Sequence, residues 1–308
     1  MSCSQPFISI DYWTTKADLF IDNLYKNRQS NYNYKKEFQD VFKINNPIIF
    51  IKTDFIPFFI DQLLEFNDKF ILITGSNDDH CVPYLNFPCH DDIYKNKLHT
   101  LLDKPELIKW YTKNPAIVHD KLIGFPLGPK WQWKTTRFFG EPKLEHMRIY
   151  NELCLNPENN LYNTNLKTNL LYINFAQTTT NPLYQPHKGI RHNVKNILTK
   201  NFKPQQGTSF EKYMRELSTY KFCVSPPGRG IDTHRTWEAL MMGTIPIMIS
   251  TTQDYLFERL PVIIIDDWNI ITPDFLNEKY QEITQKTFDF DILYTQYWDN
   301  LLYIDKNS

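Results

Sequence analysis

Two glycines and two arginines stand close together in the sequence GRGIDTHR. Glycine lets the backbone approach a ligand closely, which suits Gly228 and Gly230 to a binding loop. If a helix begins near Asp232, the unpaired N–H groups of its first turn and the positive end of its dipole favour an anion. Arg229 and Arg235 would add full positive charges. The segment therefore predicts a site for a phosphate-bearing ligand.

Arg235 and Glu238 lie three residues apart in the predicted helix. A projection at about 100° per residue puts both on the face opposite the apolar side chains Trp237, Leu240 and Met241. From that face the carboxylate could accept two ribose hydroxyl groups while the guanidinium binds phosphate oxygens. A surface i,i+3 ion pair, with the glycines serving only the turn, explains the spacing equally well. The loop matches neither the P-loop nor the G-x-G-x-x-G pattern.

The segment Phe222–Ile249, 28 of the 308 residues, resembles the carboxy-terminal signature of exostosin-like glycosyltransferases, a GT-B family that uses nucleotide-sugar donors. Its E-A-L-x-x-G-x-x-P core is similar to the donor-site helix of many other GT-B enzymes, in which the glutamate binds the ribose of the nucleotide. The resemblance implies that Glu238 corresponds to this glutamate. It also implies that Arg229, Asp232 and Arg235 correspond to the polar positions that precede it.

Two shorter stretches, ITG at Ile73–Gly75 and KLIGFPLG at Lys121–Gly128, resemble the same family. The resemblance implies transfer of a sugar from a nucleoside diphosphate sugar, with a UDP-sugar favoured, to a saccharide or glycan acceptor. The donor is a cosubstrate, and no further cofactor or metal ion is expected, because arginines and a helix N-terminus could neutralise the departing diphosphate. The alternative is a non-catalytic saccharide- or nucleotide-binding protein that kept the donor helix.

Other candidate groups follow predicted strands. In the first half, Asp54 follows one strand, and Asp79 and His80 follow the next. An inverting transfer needs a general base near the acceptor hydroxyl, so these three are candidate bases, with turn formation as the alternative for the aspartates. In the second half, Arg191 or Lys188 could meet a pyrophosphate, and a solvated basic helix face is the alternative.

Three further patterns are interpreted as structural. Trp131 and Trp133 could stack on an acceptor sugar, but burial in a core is the commoner role of tryptophan. Asp289 and Asp291 form a D-x-D, the motif with which GT-A enzymes hold a divalent ion, yet they follow no central strand, so we expect surface or capping roles. The stretch HCVPYLNFPCH carries two histidines and two cysteines, but adjacent side chains rarely reach the same ion, and no metal site is predicted.

Composition disfavours several classes of protein. The 34 basic and 35 acidic residues give a net charge of −1, so no strong field attracts a nucleic acid. The five cysteines include no C-x-x-C pair, which argues against a disulfide framework. The first residues lack a signal-peptide pattern, and no window approaches the roughly 20 apolar residues that span a bilayer. We expect a soluble cytoplasmic protein with no nucleic-acid partner and no membrane span.

Short runs rich in Ile, Val and Phe alternate with segments of helical spacing, which is typical of parallel sheets covered by helices. The predicted strands are 48–51, 70–74, 116–118, 122–127, 170–175, 222–225, 245–249 and 262–265. The predicted helices are 56–66, 97–111, 191–200, 209–219, 232–242 and 273–284. The fold class expected is α/β and GT-B-like, with two Rossmann-like αβα domains that face a central cleft.

The Asn-rich stretch 156–169 is interpreted as a connector between the two domains. Residues 1–160 would form the acceptor-side domain, and residues 161–308 would bind the nucleotide sugar. In one version of this division the last helix packs back on the first domain. Open parallel sheets bind ligands at the carboxyl ends of their strands, so the predicted loops should carry the site.

Overall fold

A computed structural model describes residues 7–8, 10–21, 40–41, 43–75, 82, 92–130, 144–154, 160–177 and 191–308. Within them the chain is an α/β protein with two parallel sheets, which confirms the α/β part of the predicted fold class. It divides into two compact units, Met1–Pro126 with Tyr294–Ser308, and Leu127–Leu293. The division therefore falls at residue 127 rather than at 160, because the helix Leu144–Cys154 packs within the second unit. Among the described helices, none has the length and apolar character that crossing a bilayer requires.

The first unit contains a five-stranded sheet in the order β1-β2-β3-β4-β5, with every neighbouring pair parallel. Its strands are β1 Leu19–Ile21, β2 Ile48–Lys52, β3 Phe70–Gly75, β4 Leu107–Thr112 and β5 Leu122–Gly124. Its helices are α1 Ile10–Thr15, α2 Ile56–Glu65, α3 Asp92–Asp103 and α9 Thr295–Lys306. Apart from Lys52 and Thr74, the sequences IIFIK and FILITG carry no polar side chain, as in parallel strands that are buried on both faces.

The predicted helix 97–111 is wrong in its second half, because α3 ends at Asp103 and the chain then enters β4. Pro105 explains the break, since proline disfavours helical geometry in the residue before it and lacks an N–H group. The predicted strand 116–118 is also wrong, because these residues lie in a turn-rich connection between β4 and β5.

The last helix, α9, packs in the first unit through the fully buried Trp13 of α1. The Trp13 ring packs edge-on against Trp298 with centroids 5.1 Å apart, and it stacks on Tyr111 and Phe125 at 5.4 and 4.5 Å. The Tyr111 hydroxyl also donates a hydrogen bond to Asp305 of α9. These contacts join α1 and α9 to β4.

The second unit contains a four-stranded parallel sheet in the order β6-β7-β8-β9. Its strands are β6 Asn169–Tyr172, β7 Tyr220–Val224, β8 Ile245–Ile249 and β9 Ile263–Ile265. Its helices are α4 Leu144–Cys154, α5 Arg191–Leu198, α6 Phe210–Ser218, α7 His234–Met241 and α8 Pro273–Thr284. Ser209 caps α6, Thr272 caps α8, and Gly243 follows α7 with a φ of 61°, the left-handed geometry that favours glycine at a helix end.

A buried ammonium group joins the carboxyl ends of α6 and α7. Lys167 is 1% exposed, and its Nζ donates to the carbonyl oxygens of Ser218 and Met242, each at 2.7 Å, and to Thr244 Oγ1 at 3.2 Å. The last carbonyls of a helix lack partners within the helix, so one side chain here satisfies two helix ends. Burial lowers the pKa of Lys167 to about 7.

Candidate functional site

The predicted binding loop leaves the carboxyl edge of the second sheet. β6 and β7 are parallel neighbours, with Tyr172 opposite Cys223. The segment that follows β6 and the loop Pro226–Gly230 that follows β7 therefore emerge at the same edge, and α7 begins four residues after the loop. Open parallel sheets bind their ligands at this edge. The strand–loop–helix arrangement predicted from the sequence is thus present.

Arg235 lies in the first turn of α7 and reaches the segment that follows β6. Its Nη2 donates to the main-chain oxygen of Asn174 at 2.6 Å, and its guanidinium carbon lies 5.9 Å from the ring centroid of Phe175. Its Nε is buried and has no hydrogen-bond partner among the described residues. A buried N–H group without an acceptor costs free energy, so an acceptor from a ligand would stabilise this group.

The guanidinium group of Arg191 donates hydrogen bonds to main-chain oxygens and not to a ligand alone. Its Nε donates to Pro227 O at 2.9 Å, its Nη2 to Pro226 O at 3.3 Å, and its Nη1 to Ala176 O at 3.2 Å. The residue is 7% exposed, and burial together with the neighbouring charge of Arg235 lowers its pKa to about 10. Arg191 therefore fixes both loops of the edge and adds positive charge beside Arg235.

The loop glycines are buried, and Arg229 is exposed. Gly228 N donates to Gly230 O at 3.0 Å, which closes the loop on itself. The described glycines with positive φ are Gly128 and Gly243, so neither loop glycine is required by a left-handed turn.

Three buried hydroxyl groups join the end of β7 to the start of α7. Ser225 Oγ lies 2.9 Å from Thr233 Oγ1 and 2.7 Å from Thr236 Oγ1. All three side chains are buried, and each hydroxyl group finds its partner within the cluster. The three hydroxyl groups attach the loop after β7 to the helix that carries Arg235. The sequence analysis did not predict this cluster.

Asp232 is a structural carboxylate in the unit that contains it. Its Oδ2 accepts hydrogen bonds from Leu127 N and Trp237 Nε1, both at 2.7 Å, and its Oδ1 accepts from Thr233 N at 2.6 Å. It is 6% exposed, and α7 begins at His234 with Thr233 as the N-cap residue. The predicted helix start at Asp232 is thus two residues early. The Asp232 carboxylate accepts hydrogen bonds from other groups of the protein.

Glu238 is buried, although the projection puts it on the face opposite the apolar side chains. It is 4% exposed, and both carboxylate oxygens are occupied. Oε1 accepts from Lys130 N and from Tyr150 Oη, each at 3.1 Å, and Oε2 accepts from Tyr213 Oη at 2.7 Å. Burial and then the charge of Glu238 raise the pKa of Tyr150 and Tyr213 well above the usual value, which keeps both hydroxyl groups protonated as donors.

The projection did not indicate this burial because it assumed that only one face of the helix is covered. Every residue of 236–241 is buried, since α7 packs on the sheet and also against α6. The partners Tyr150 and Tyr213 come from α4 and α6, and the sequence reasoning missed both. The available signal was a single carboxylate within the otherwise apolar run WEALMM, because such a carboxylate requires buried donors.

The remaining predicted groups divide into described and undescribed residues. Asp54 follows β2 as predicted, and its Oδ2 lies 3.5 Å from Lys52 Nζ. Asp289 pairs with Arg259 and accepts a hydrogen bond from Asp291 N at 2.9 Å, which gives the D-x-D a capping role. Several predicted groups lie outside the described residues, namely Asp79, His80, Trp131, Trp133, Lys188 and the stretch HCVPYLNFPCH.

Among the described residues, no cluster of three or more His, Cys, Asp or Glu side chains could hold a metal ion. No family model matches the chain, and no curated protein matches it. The resemblance of Phe222–Ile249 to a glycosyltransferase signature therefore rests on those residues themselves.

Proposed function

We propose that the protein is a glycosyltransferase that moves a sugar from a nucleoside diphosphate sugar, with a UDP-sugar favoured, to a saccharide or glycan acceptor. One observation carries the proposal: Arg235 is held at the carboxyl edge of a parallel sheet with a buried Nε that lacks an acceptor among the described residues. Phosphate oxygens are acceptors that match the planar guanidinium. The resemblance of the surrounding motif to a donor-site helix supports the same ligand class.

The chemistry of the transfer gives these groups a role. When the bond between the anomeric carbon and the diphosphate oxygen breaks, negative charge builds on the leaving group. Arg235 is positioned by Asn174 O, and Arg191 adds a second charge nearby, so both would stabilise this charge without rearrangement. The exposed Arg229 could close over the same phosphates. We expect turnover that does not depend on Mn²⁺ or Mg²⁺.

One candidate general base lies in the first unit. Asp54 stands at the carboxyl end of β2, and it is the candidate base that falls within the described residues. Its Oδ2 lies 3.5 Å from Lys52 Nζ, and a carboxylate at this position could accept a proton from an acceptor hydroxyl. Asp79 and His80 remain candidate bases from the sequence.

Release of nucleotide from a panel of UDP- and GDP-sugars tests the proposal, with and without simple saccharide acceptors. We expect release of UDP or GDP that rises when a suitable acceptor is added. Binding of the donors without turnover would support the non-catalytic alternative. If the folded protein binds neither nucleotides nor nucleotide sugars, both the glycosyltransferase and the non-catalytic binding protein are refuted.

A further inference from the structure

Glu238 lies in an enclosed, largely aromatic environment. Tyr150, 0% exposed, donates to it from α4, and Tyr213 donates from α6. Phe210 packs between these helices, with its ring centroid 5.4 Å from that of Tyr150 and 3.6 Å from that of His146, which is stacked on it. The carboxylate is therefore surrounded by side chains from two helices besides its own.

The acceptor capacity of the carboxylate is largely used by the protein. An ionised carboxylate offers about four lone-pair positions, and three donors already occupy this one. A ribose diol that bound Glu238 would have to displace a tyrosine hydroxyl or the Lys130 N–H group. Each such exchange would break a hydrogen bond that the protein already makes, so it would bring little net gain.

The same helix holds a neighbouring chain segment through three side chains. Asp232 accepts from Leu127 N at 2.7 Å, His234 Nδ1 donates to Gly128 O at 2.7 Å, and Glu238 accepts from Lys130 N at 3.1 Å. Segment Leu127–Lys130 therefore lies along α7 and is bound near each end and in the middle. Three polar residues of the signature, Asp232, His234 and Glu238, thus serve this attachment.

We propose that Glu238 is a structural carboxylate that fastens Leu127–Lys130, α4 and α6 to α7, and that nucleotide recognition at this edge reads the phosphates and not the ribose diol through Glu238. The part of this inference that concerns nucleotides rests on the proposed function. It differs from what the resemblance implies for the glutamate, and it leaves ligand contact to Arg235 and the loop.

The test compares wild type, Glu238→Gln, Tyr213→Phe and the control Glu278→Gln, which changes an exposed carboxylate on α8 of the same unit. Melting temperatures are measured without ligand, and dissociation constants are measured for UDP and 2′-deoxy-UDP. We expect Glu238→Gln and Tyr213→Phe each to lower Tm by about 3 °C or more, because a buried group loses its partner. The Tm of Glu278→Gln should match that of the wild type.

The ratio of the dissociation constants for UDP and 2′-deoxy-UDP tests whether Glu238 recognises the ribose diol. We expect this ratio to stay within about twofold of the wild-type value in Glu238→Gln and in Tyr213→Phe, whatever the wild-type value is. A roughly tenfold preference for UDP that disappears in Glu238→Gln would overturn the inference, as would a preference that grows when Tyr213→Phe vacates a carboxylate oxygen. A Glu238→Gln variant with wild-type Tm would overturn the structural role.

Failure of the proposed function gives a different result. If neither nucleotide binds the wild type, the proposed donor site is refuted, and with it the ligand part of the inference. The melting temperatures still decide the structural role of Glu238 in that case. If Glu238→Gln does not fold, the structural role is supported, and Tyr213→Phe supplies the ligand comparison.

Discussion

The Nη2 atom of Arg235 donates to the main-chain oxygen of Asn174 at 2.6 Å. This bond joins the first turn of α7 to the segment that follows β6, so the fold of the sheet edge sets the position of the guanidinium. Arg191 binds Ala176 O in the same segment and two carbonyl oxygens of the loop after β7. Two cations are thus held by carbonyl oxygens at one edge, a preorganised arrangement that suits an anion.

Arg235→Ala is expected to lower turnover at saturating donor by about 10²-fold, as for the loss of one charge-stabilising donor. The effect should fall mainly on kcat, because charge on the diphosphate grows in the transition state. Steady-state kinetics and a melting curve check this, with Arg148→Ala as the control for loss of an exposed arginine in the same unit. Parental kcat, donor affinity and Tm in Arg235→Ala would mean that the donor site lies elsewhere.

Arg191→Met is expected to destabilise the second unit by about 3 kcal/mol, at about 1 kcal/mol for each main-chain oxygen that loses its donor. Arg191→Lys should recover part of the loss, since an ammonium group has three donors but not the geometry of the fork. Urea unfolding measures both variants, with Arg148→Met as the matched control. Equal urea midpoints for Arg191→Met and wild type would contradict the role of Arg191 in fixing the two loops.

Chelation by EDTA is expected to leave donor turnover nearly unchanged, because the proposed charge stabilisation comes from Arg191, Arg235 and main-chain N–H groups. Asp289→Asn should also leave turnover unchanged, since Asp289 binds Arg259 and caps a turn. An exposed ion pair of this kind contributes about 1 kcal/mol or less. Loss of turnover in EDTA with rescue by Mn²⁺ would contradict the proposed mechanism and favour the D-x-D as a metal motif.

The elements that could be predicted from the sequence are those whose pattern depends on local chemistry. The apolar run IPIMI predicted a strand at 245–249, and β8 has these bounds. The helices predicted at 209–219 and 273–284 begin within one residue of α6 and α8, which Ser209 and Thr272 cap. The break at Pro105 was equally local, and the prediction of one helix over 97–111 overlooked it.

The roles of the polar residues in the site could not be predicted in the same way, because their partners come from distant parts of the chain. Glu238 binds Tyr150, which is 88 residues away, and no spacing within α7 indicates that hydrogen bond. Arg191 was predicted beside a phosphate, yet its partners are main-chain oxygens, which every sequence possesses. The sequence did place Arg235 at the carboxyl edge of the second sheet, because this position follows from the strand–loop–helix pattern alone.

The buried Lys167 predicts a pH dependence of stability. Burial lowers its pKa in the folded chain from 10.5 to about 7. Between these two values the unfolded chain holds a proton that the folded chain has released, so the free energy of unfolding rises with pH. The contribution of this group is up to about 1.4 kcal/mol per pH unit above pH 7, and it is flat below that value because both states are then protonated.

Urea unfolding of wild type and Lys167→Met between about pH 6 and pH 9 measures this contribution. The variant cannot titrate at this position, so the difference in unfolding free energy, wild type minus variant, should be constant below about pH 7 and should increase above it. The exposed Lys200→Met serves as the control and should run parallel to wild type at every pH. If the Lys167→Met and wild-type curves are also parallel above pH 7, the ammonium group keeps its proton in the folded chain, held by the carbonyl oxygens of Ser218 and Met242.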